Sequence, residues 1–345
     1  MKLRLTLTLA LALLAPPLSA QKRAAILPTP AGCSCTTTPV ITGVSGTIGD
    51  GNSITLTGCC FGAKSPAAPD LWDTVENQAA YSGLSDGDTI PTTGGAPWGT
   101  NQDFGPEPAK YETSDTQRGT SSAFYKASRM VIGDRTLSGA TGLYVSWWEK
   151  SDIDICGGSH SSKVIRLTTD VDPGTQTLSW AQDPIGFYVF DTDTYLISDS
   201  HGDGPCFSTT AWHFFEIYAN QNTERYYGRI NNTEEFTYTE TEVSGSAWNF
   251  NYVWKMGFDE GGTSPPSPTI GLDDIYVDLT QSRVMMGDSS AYDSATALEM
   301  QIPSAWSDTS ITFSMNVGAL ASGTNYLYVF DADGDDSSGQ AVTLP

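Results

Sequence analysis

The residues of this chain best suited to chemistry are aromatic and charged side chains that alternate along short segments. In Trp212-His-Phe-Phe-Glu-Ile-Tyr218, an extended backbone puts Trp212, Phe214, Glu216 and Tyr218 on one face and His213, Phe215 and Ile217 on the other. The second set, His213 apart, has the composition of a core, which turns Glu216 and Tyr218 outward. Lys163-Val-Ile-Arg166 and Arg225-Tyr-Tyr-Gly-Arg229 present Arg166, Tyr227 and Arg229 in a similar way. Trp147 and Trp148 point to opposite faces of one strand, so one is expected in the core and the other, taken as Trp148, outside. Aromatic rings stack on the apolar faces of pyranoses while polar neighbours fix orientation. Trp148, Arg166, Glu216, Tyr218, Tyr227 and Arg229 are therefore a candidate binding set. The same residues can also form ordinary cross-strand pairs on a wetted face, Arg166 or Arg229 meeting Glu216.

Catalytic constellations are weaker. The chain has three histidines, His160, His201 and His213, the first two in Gly/Ser-rich segments beside Cys156 and Cys206. A polysaccharide lyase needs a base and a group that neutralises the substrate carboxylate, and a bridge between those loops could bring His160 and His201 together. A retaining glycosidase needs two carboxylates about 5 Å apart. No Glu-x-Asp-x-x-Glu run occurs, and Glu234-Glu235 and Glu240-Thr-Glu242 have the wrong spacing. Gly-x-Ser-x-Gly, His-Glu-x-x-His and phosphate loops are absent as well. Asp331-Ala-Asp-Gly-Asp-Asp336 opens like an EF-hand loop but lacks its glycine and closing glutamate, so it is expected to be a hairpin turn.

The start of the sequence bears on compartment. Met1-Lys-Leu-Arg, the apolar stretch Leu5–Leu14 and the small residues ending at Ala20 have the order of a secretory signal, residues 1–20. An extracellular or cell-surface location is expected, with no transmembrane segment. The 17 Lys and Arg face 40 Asp and Glu, a net charge of −23. Such a charge repels phosphate backbones and anionic membranes, which argues against a nucleic-acid partner. Six cysteines in an exported chain favour disulfides. Cys33 and Cys35, in the N-terminal segment 21–38, are expected to form one or two bridges with Cys59 and Cys60, and Cys156 to pair with Cys206. A metal site is the competing use of the Cys-x-Cys and Cys-Cys pairs.

These side chains need strands to position them. Leu143–Glu149, Lys163–Thr168, Gly186–Phe190, Trp212–Tyr218, Arg225–Ile230 and Gly271–Val277 alternate with period two, and Gly, Pro, Asn and Asp cluster between them. Only short helical turns are expected, within Asp70–Gln78 or Ser121–Met130. The class is all-β.

Two distant segments resemble the halves of an IPT/TIG domain, an Ig-like sandwich. They are Pro39-Val-Ile-Thr-Gly-Val-Ser-Gly with Gly51–Gly62, and Trp306–Val317 with Gly323–Gly334. Neither alone has strands enough to bury both faces, so a discontinuous domain, 39–64 plus 281–345, is expected. Between them, Trp72-Asp73…Glu76, Leu143–Trp147, Lys163…Arg166, Trp212–Tyr218 and Leu272-Asp-Asp-Ile-Tyr-Val277 resemble, in order and spacing, a concanavalin-like (laminin-G-like) jelly roll. That inserted unit, 65–280, is similar to secreted sugar-binding proteins and polysaccharide lyases. The bland alternative is three consecutive pieces. The resemblance implies a structural Ca2+ shared by a carboxylate near the first strand, Asp73 or Glu76, and one in the last, Asp274 rather than Asp273. It also implies a glycan partner outside the cell, bound without catalysis. A lyase, or a structural subunit self-associating through strand edges, is the alternative.

Overall fold

The computed structural model describes residues 38–101, 107–118, 122–127, 130–152, 162–169, 177–183, 185–191, 194–200, 211–220, 222–223, 225–239, 250–259 and 269–345. They are almost entirely β. The segments with period-two alternation lie in strands with antiparallel partners, except that Trp212 precedes its strand, which begins at His213.

One seven-stranded sheet joins the two ends of the chain. Its order is Val40–Ser45, Ser53–Cys59, Ser310–Ser314, Leu298–Ser307, Arg283–Gly287, Gly323–Phe330, Gln340–Leu344. Leu56 pairs with Ile311 and Ile54 with Phe313, across more than two hundred and fifty residues of sequence. Ile54, Leu56 and Phe61 share a core with Val284, Met286, Ile311, Phe313, Leu327 and Val329. The burial of both segments depends on this contact, since each alternates and supplies only half of the apolar surface.

The residues between form two facing sheets. One has six strands, in the order Thr194–Ser200, Ile185–Asp191, Thr177–Asp183, Ser162–Thr168, Phe250–Asp259, Met130–Ala140. The other has eight: Thr233–Thr239, Arg225–Ile230, His213–Asn220, Gly142–Ser151, Thr269–Asp278, Ala123–Ala127 and Lys110–Glu112, with Leu71–Asp73 also paired to Thr269–Asp278. Val145, Trp147, Phe215, Ile217, Leu272 and Ile275 of the eight-stranded sheet pack against Val164, Leu167, Leu178, Trp180, Val253 and Met256 of the six-stranded sheet. Trp147 stacks on Phe215 at 5.2 Å and meets Trp180 edge-on at 6.1 Å.

Two local expectations are corrected. Residues 123–127 are a strand rather than a helical turn, because Tyr125 and Lys126 pair with Gly271 and Ile270 and the neighbouring sheet decides their conformation. Residues 71–73 are likewise a strand, and the short helical turn falls later, at Ala79–Tyr81. The acidic run 331–336 does form the turn between Gly323–Phe330 and Gln340–Leu344, with the Asp331 carboxylate accepting the Asp333 and Asp335 N–H groups.

Candidate functional site

Strand register arranges the outer face of the eight-stranded sheet in rows. Asp278, Tyr144, Tyr218 and Tyr227 lie side by side across four strands. The next row is Tyr276, Ser146, Glu216 and Arg229, and the next Asp273, Trp148 and Phe214. The last is Tyr125, Gly271 and Lys150, with Trp212 continuing the register beyond Phe214. This face carries almost the whole predicted binding set, and the alternation read from the sequence is the alternation observed.

Most of the face is sealed by the seven-stranded sheet. Tyr144, Phe214, Tyr218, Tyr227 and Tyr276 share a core with Met285, Leu298, Met300, Tyr328 and Phe330. At its centre Glu216 is 0% exposed. Its carboxylate accepts from the Tyr144 hydroxyl at 2.6 Å, from the Tyr292 hydroxyl, and from Arg283 Nη2 at 3.3 Å. The Arg283 guanidinium lies 4.2 Å from the Tyr144 ring centroid and 3.6 Å from that of Phe330. Tyr227 donates to Gln281 Oε1 at 3.3 Å, and Tyr218 packs on Tyr227 at 5.6 Å. Arg229, half-buried, lies over the Tyr227 and Tyr292 rings and 3.6 Å from Asp293. Glu216, Tyr218 and Tyr227 thus hold two sheets together and line no open groove.

Arg166 belongs to the six-stranded sheet. It lies over Trp254 at 5.4 Å and opposite Lys255, so it does not converge with Glu216 and Tyr227. Trp148 is half-buried against Phe214, at 5.3 Å, on the border between the sealed rows and the last row. A cavity of about 320 Å3 lies elsewhere, between Ala63–Asp70 and Asp278–Thr280, where the two connections between the units run together. None of the predicted binding residues lines it. There Lys64, buried, donates to Asp278 and to the Tyr276 hydroxyl.

The predicted calcium set stands beside the sealed face. Asp73 and Asp274 are buried and Glu76 is exposed. Both Asp73 oxygens accept N–H groups, from Val75 at 2.8 Å and Trp98 Nε1 at 2.8 Å. Asp274 takes Arg118 Nε at 2.8 Å on one oxygen, and its other oxygen is buried. Glu76 accepts from Ser122. A register shift between Asp273 and Tyr276 interrupts the alternation expected there, so Asp273 and Asp274 both reach the same loop, at Gln117 and Arg118. Burial pushes Asp73 up to about 7 against the pull of its two donors. Burial, opposed by Arg118, raises Asp274; burial and then the neighbouring Asp274 charge raise Asp273 and Glu299. Oxygen donors suit calcium. Among the described residues no three His, Cys, Asp or Glu side chains are placed to hold a metal ion. Arg118 supplies the positive charge paired with Asp274.

Sequence reasoning missed the seam itself, with Arg283 and Tyr292, and the last row, with Tyr125, Lys150 and Asp115. Arg283 follows the polar Thr280-Gln-Ser282 and opens the apolar Val284-Met-Met286, so its local pattern is that of an exposed strand start and carries no signal of a buried partner. Cys59 and Cys60 are both disulfide-bonded. Cys33, Cys35, Cys156, Cys206, His160, His201 and the predicted signal lie outside the described residues. His213 faces inward, its Nδ1 2.8 Å from Asn231 Nδ2. Among the described residues no helix is long and apolar enough to cross a membrane.

No family model matches the chain, and no curated protein matches it. Solved structures resemble parts of it remotely. One is botulinum neurotoxin type C, whose cell entry depends on interaction with two ganglioside molecules: 9% identity, 52% of this chain, 46% of that chain, TM-score 0.31. Another is domain 4 of AbnA, a GH43 extracellular arabinanase from Geobacillus stearothermophilus, in complex with arabinotriose: 13% identity, 51% and 77% coverage, TM-score 0.31. A third is a sialidase: 8% identity, 67% and 21% coverage, TM-score 0.38. The chain spans less than half of that neurotoxin chain.

Proposed function

We propose that the protein is an exported glycan-binding or adhesion protein, a jelly roll inserted in an IPT/TIG-like sandwich and acting without catalysis. The observation that carries this is the division of one aromatic sheet face. Its Tyr144–Tyr227 and Tyr276–Arg229 rows are consumed by the contact between units, while its Tyr125–Trp212 row remains partly exposed beside Trp148. Aromatic and charged side chains in a half-open row suit a polyhydroxylated ligand. The second unit, bound across the sheet, holds that row rigidly. The likeness of the end segments to an Ig-like module supports a spacer or attachment role by analogy of fold.

Binding of the mature protein to an oligosaccharide array tests this proposal, and the absence of binding to any glycan removes it. Incubation with uronate polysaccharides, followed near 235 nm, tests the lyase alternative. Light scattering over a concentration series tests assembly through strand edges.

A further inference from the structure

We infer that Tyr125, Lys150 and Trp212, with Asp115 above them, form a subsite for an uncharged sugar unit; this rests on the glycan-binding proposal and gives it a place and a ligand class. The four residues come from four parts of the chain, and the sheet brings them together. Gly271 and Lys150 are paired neighbours, Tyr125 pairs with Gly271 on the other side, and Trp212 is level with Lys150. The Tyr125 ring lies across Gly271, where a Cβ would come within 2.6 Å of it. The Tyr125 and Trp212 rings meet edge to face, centroids 6.1 Å apart and planes at 89°. Both residues are half-buried, yet the Tyr125 hydroxyl and Trp212 indole nitrogen are buried atoms. Their exposed surface is therefore ring carbon, the surface on which a pyranose stacks.

Charge decides the class. Lys150 Nζ lies 2.7 Å from each Asp115 oxygen, with 21% and 45% of the two side chains exposed. The pair is thus neutral as a whole and reachable by ligand hydroxyls. Of the other nearby cations, Arg118 is committed to Asp274, and Lys110, paired with Tyr125 on the neighbouring strand, donates to Thr89. Glu112 adds a further negative charge at the end of the neighbouring strand. A uronate or sialate would bring its own carboxylate beside Asp115 and Glu112, in a chain of net charge −23. Hydroxyl groups have no such conflict and can use both the carboxylate and the ammonium.

The loop carrying Asp115 is fixed before any ligand arrives, which lowers the ordering cost of binding. Thr113 bonds Asp86, and Ser114 bonds Glu112. The Gln117 N–H donates to Asp273 and its side chain to Glu299 of the seven-stranded sheet. Arg118 bonds Asp274.

Calorimetric titration of the full chain with cellohexaose, mannohexaose, maltohexaose and chitohexaose, against hexagalacturonate and sialyllactose, tests this. At least one neutral probe is expected to bind. Trp212→Ala should weaken it ten-fold or more, with Lys150→Met as a second variant should Trp212→Ala fail to fold. Asp115→Asn, which releases the Lys150 charge, should shift preference toward hexagalacturonate. Tighter binding of the acidic probes by the unaltered chain overturns the inference. So does a neutral probe whose affinity ignores both Trp212→Ala and Lys150→Met, which leaves glycan binding intact but elsewhere. If no probe binds at all, the glycan proposal fails with it.

Discussion

Glu216 and Arg283 form an ion pair across the contact between the two sheet systems, 3.3 Å apart, with side chains 0% and 1% exposed. Around them the Tyr144 and Tyr292 hydroxyls complete the carboxylate, and the rings of Tyr144 and Phe330 flank the guanidinium. Desolvating both charges is costly, and only this full set of partners offsets it.

Removing one member should therefore hurt more than removing both. Arg283→Met leaves a buried carboxylate with two hydroxyl donors and is expected to cost about 3–5 kcal/mol. The double variant Glu216→Leu/Arg283→Met should cost clearly less than the two single variants summed, a coupling measurable by denaturant titration. Additive costs would mean that the two residues do not interact.

That pair also marks the limit of what could be read from the sequence. Period-two alternation separated Phe215 and Ile217 from Phe214, Glu216 and Tyr218 correctly, because a strand has only two faces. It could not say that the second face meets Met285 and Tyr328, since nothing local to Trp212–Tyr218 encodes a partner so far along the chain. An interior polar row and a wetted polar row have the same pattern. Glu216 and Tyr227 looked like groove residues for that reason. Arg166 alternates in the same way, yet stands on the opposite sheet, because the order of strands within sheets is set by distant pairings. The row of Tyr125 and Lys150 was hidden differently: one member precedes a strand end, another is a glycine, and Asp115 sits in a loop.

Buried carboxylates give the fold a defined pH dependence. Glu149 and Asp73 are each 0% exposed, and burial pushes them up to about 8 and about 7, against the donors Trp147 for Glu149 and Trp98 and Val75 for Asp73. In the unfolded chain they titrate near 4. Between roughly pH 8 and pH 5 the folded state holds protons that the unfolded state does not, so stability rises as pH falls through that window. Below about pH 4 the unfolded chain takes them up too and the gain stops growing. Melting curves from pH 8.5 to 5.5 should show a rise in Tm, reduced in Glu149→Gln. A Tm that falls steadily across the same range would contradict these burials.

Cys59 and Cys60 close the Ser53–Cys59 strand and are both disulfide-bonded. Residue 58 lies at the centre of the same corner, its N–H bonded to the Thr309 carbonyl. A cross-link at this corner restrains the unfolded chain, so replacing Cys59 with Ser is expected to cost about 2–5 kcal/mol. Peptide mapping without reduction should recover Cys59 and Cys60 in cross-linked peptides. Recovery of either as a free thiol would remove the expectation.

Gly271 sits beneath the Tyr125 ring, and its missing side chain is what lets the ring cross the sheet toward Trp212. In Gly271→Ala the new methyl would lie 2.6 Å from ring carbon, well inside contact distance, so the ring must turn away. The expected cost is about 1–3 kcal/mol, as for other overpacked sites. The edge-to-face contact with Trp212 should be lost as well, visible as a change in near-ultraviolet circular dichroism. Adding Tyr125→Ala removes the clash, so Gly271→Ala should cost much less in a Tyr125→Ala background than alone. If Gly271→Ala costs the same in both backgrounds, the ring does not lie over residue 271. The row would then lack the geometry that joins Tyr125 to Trp212.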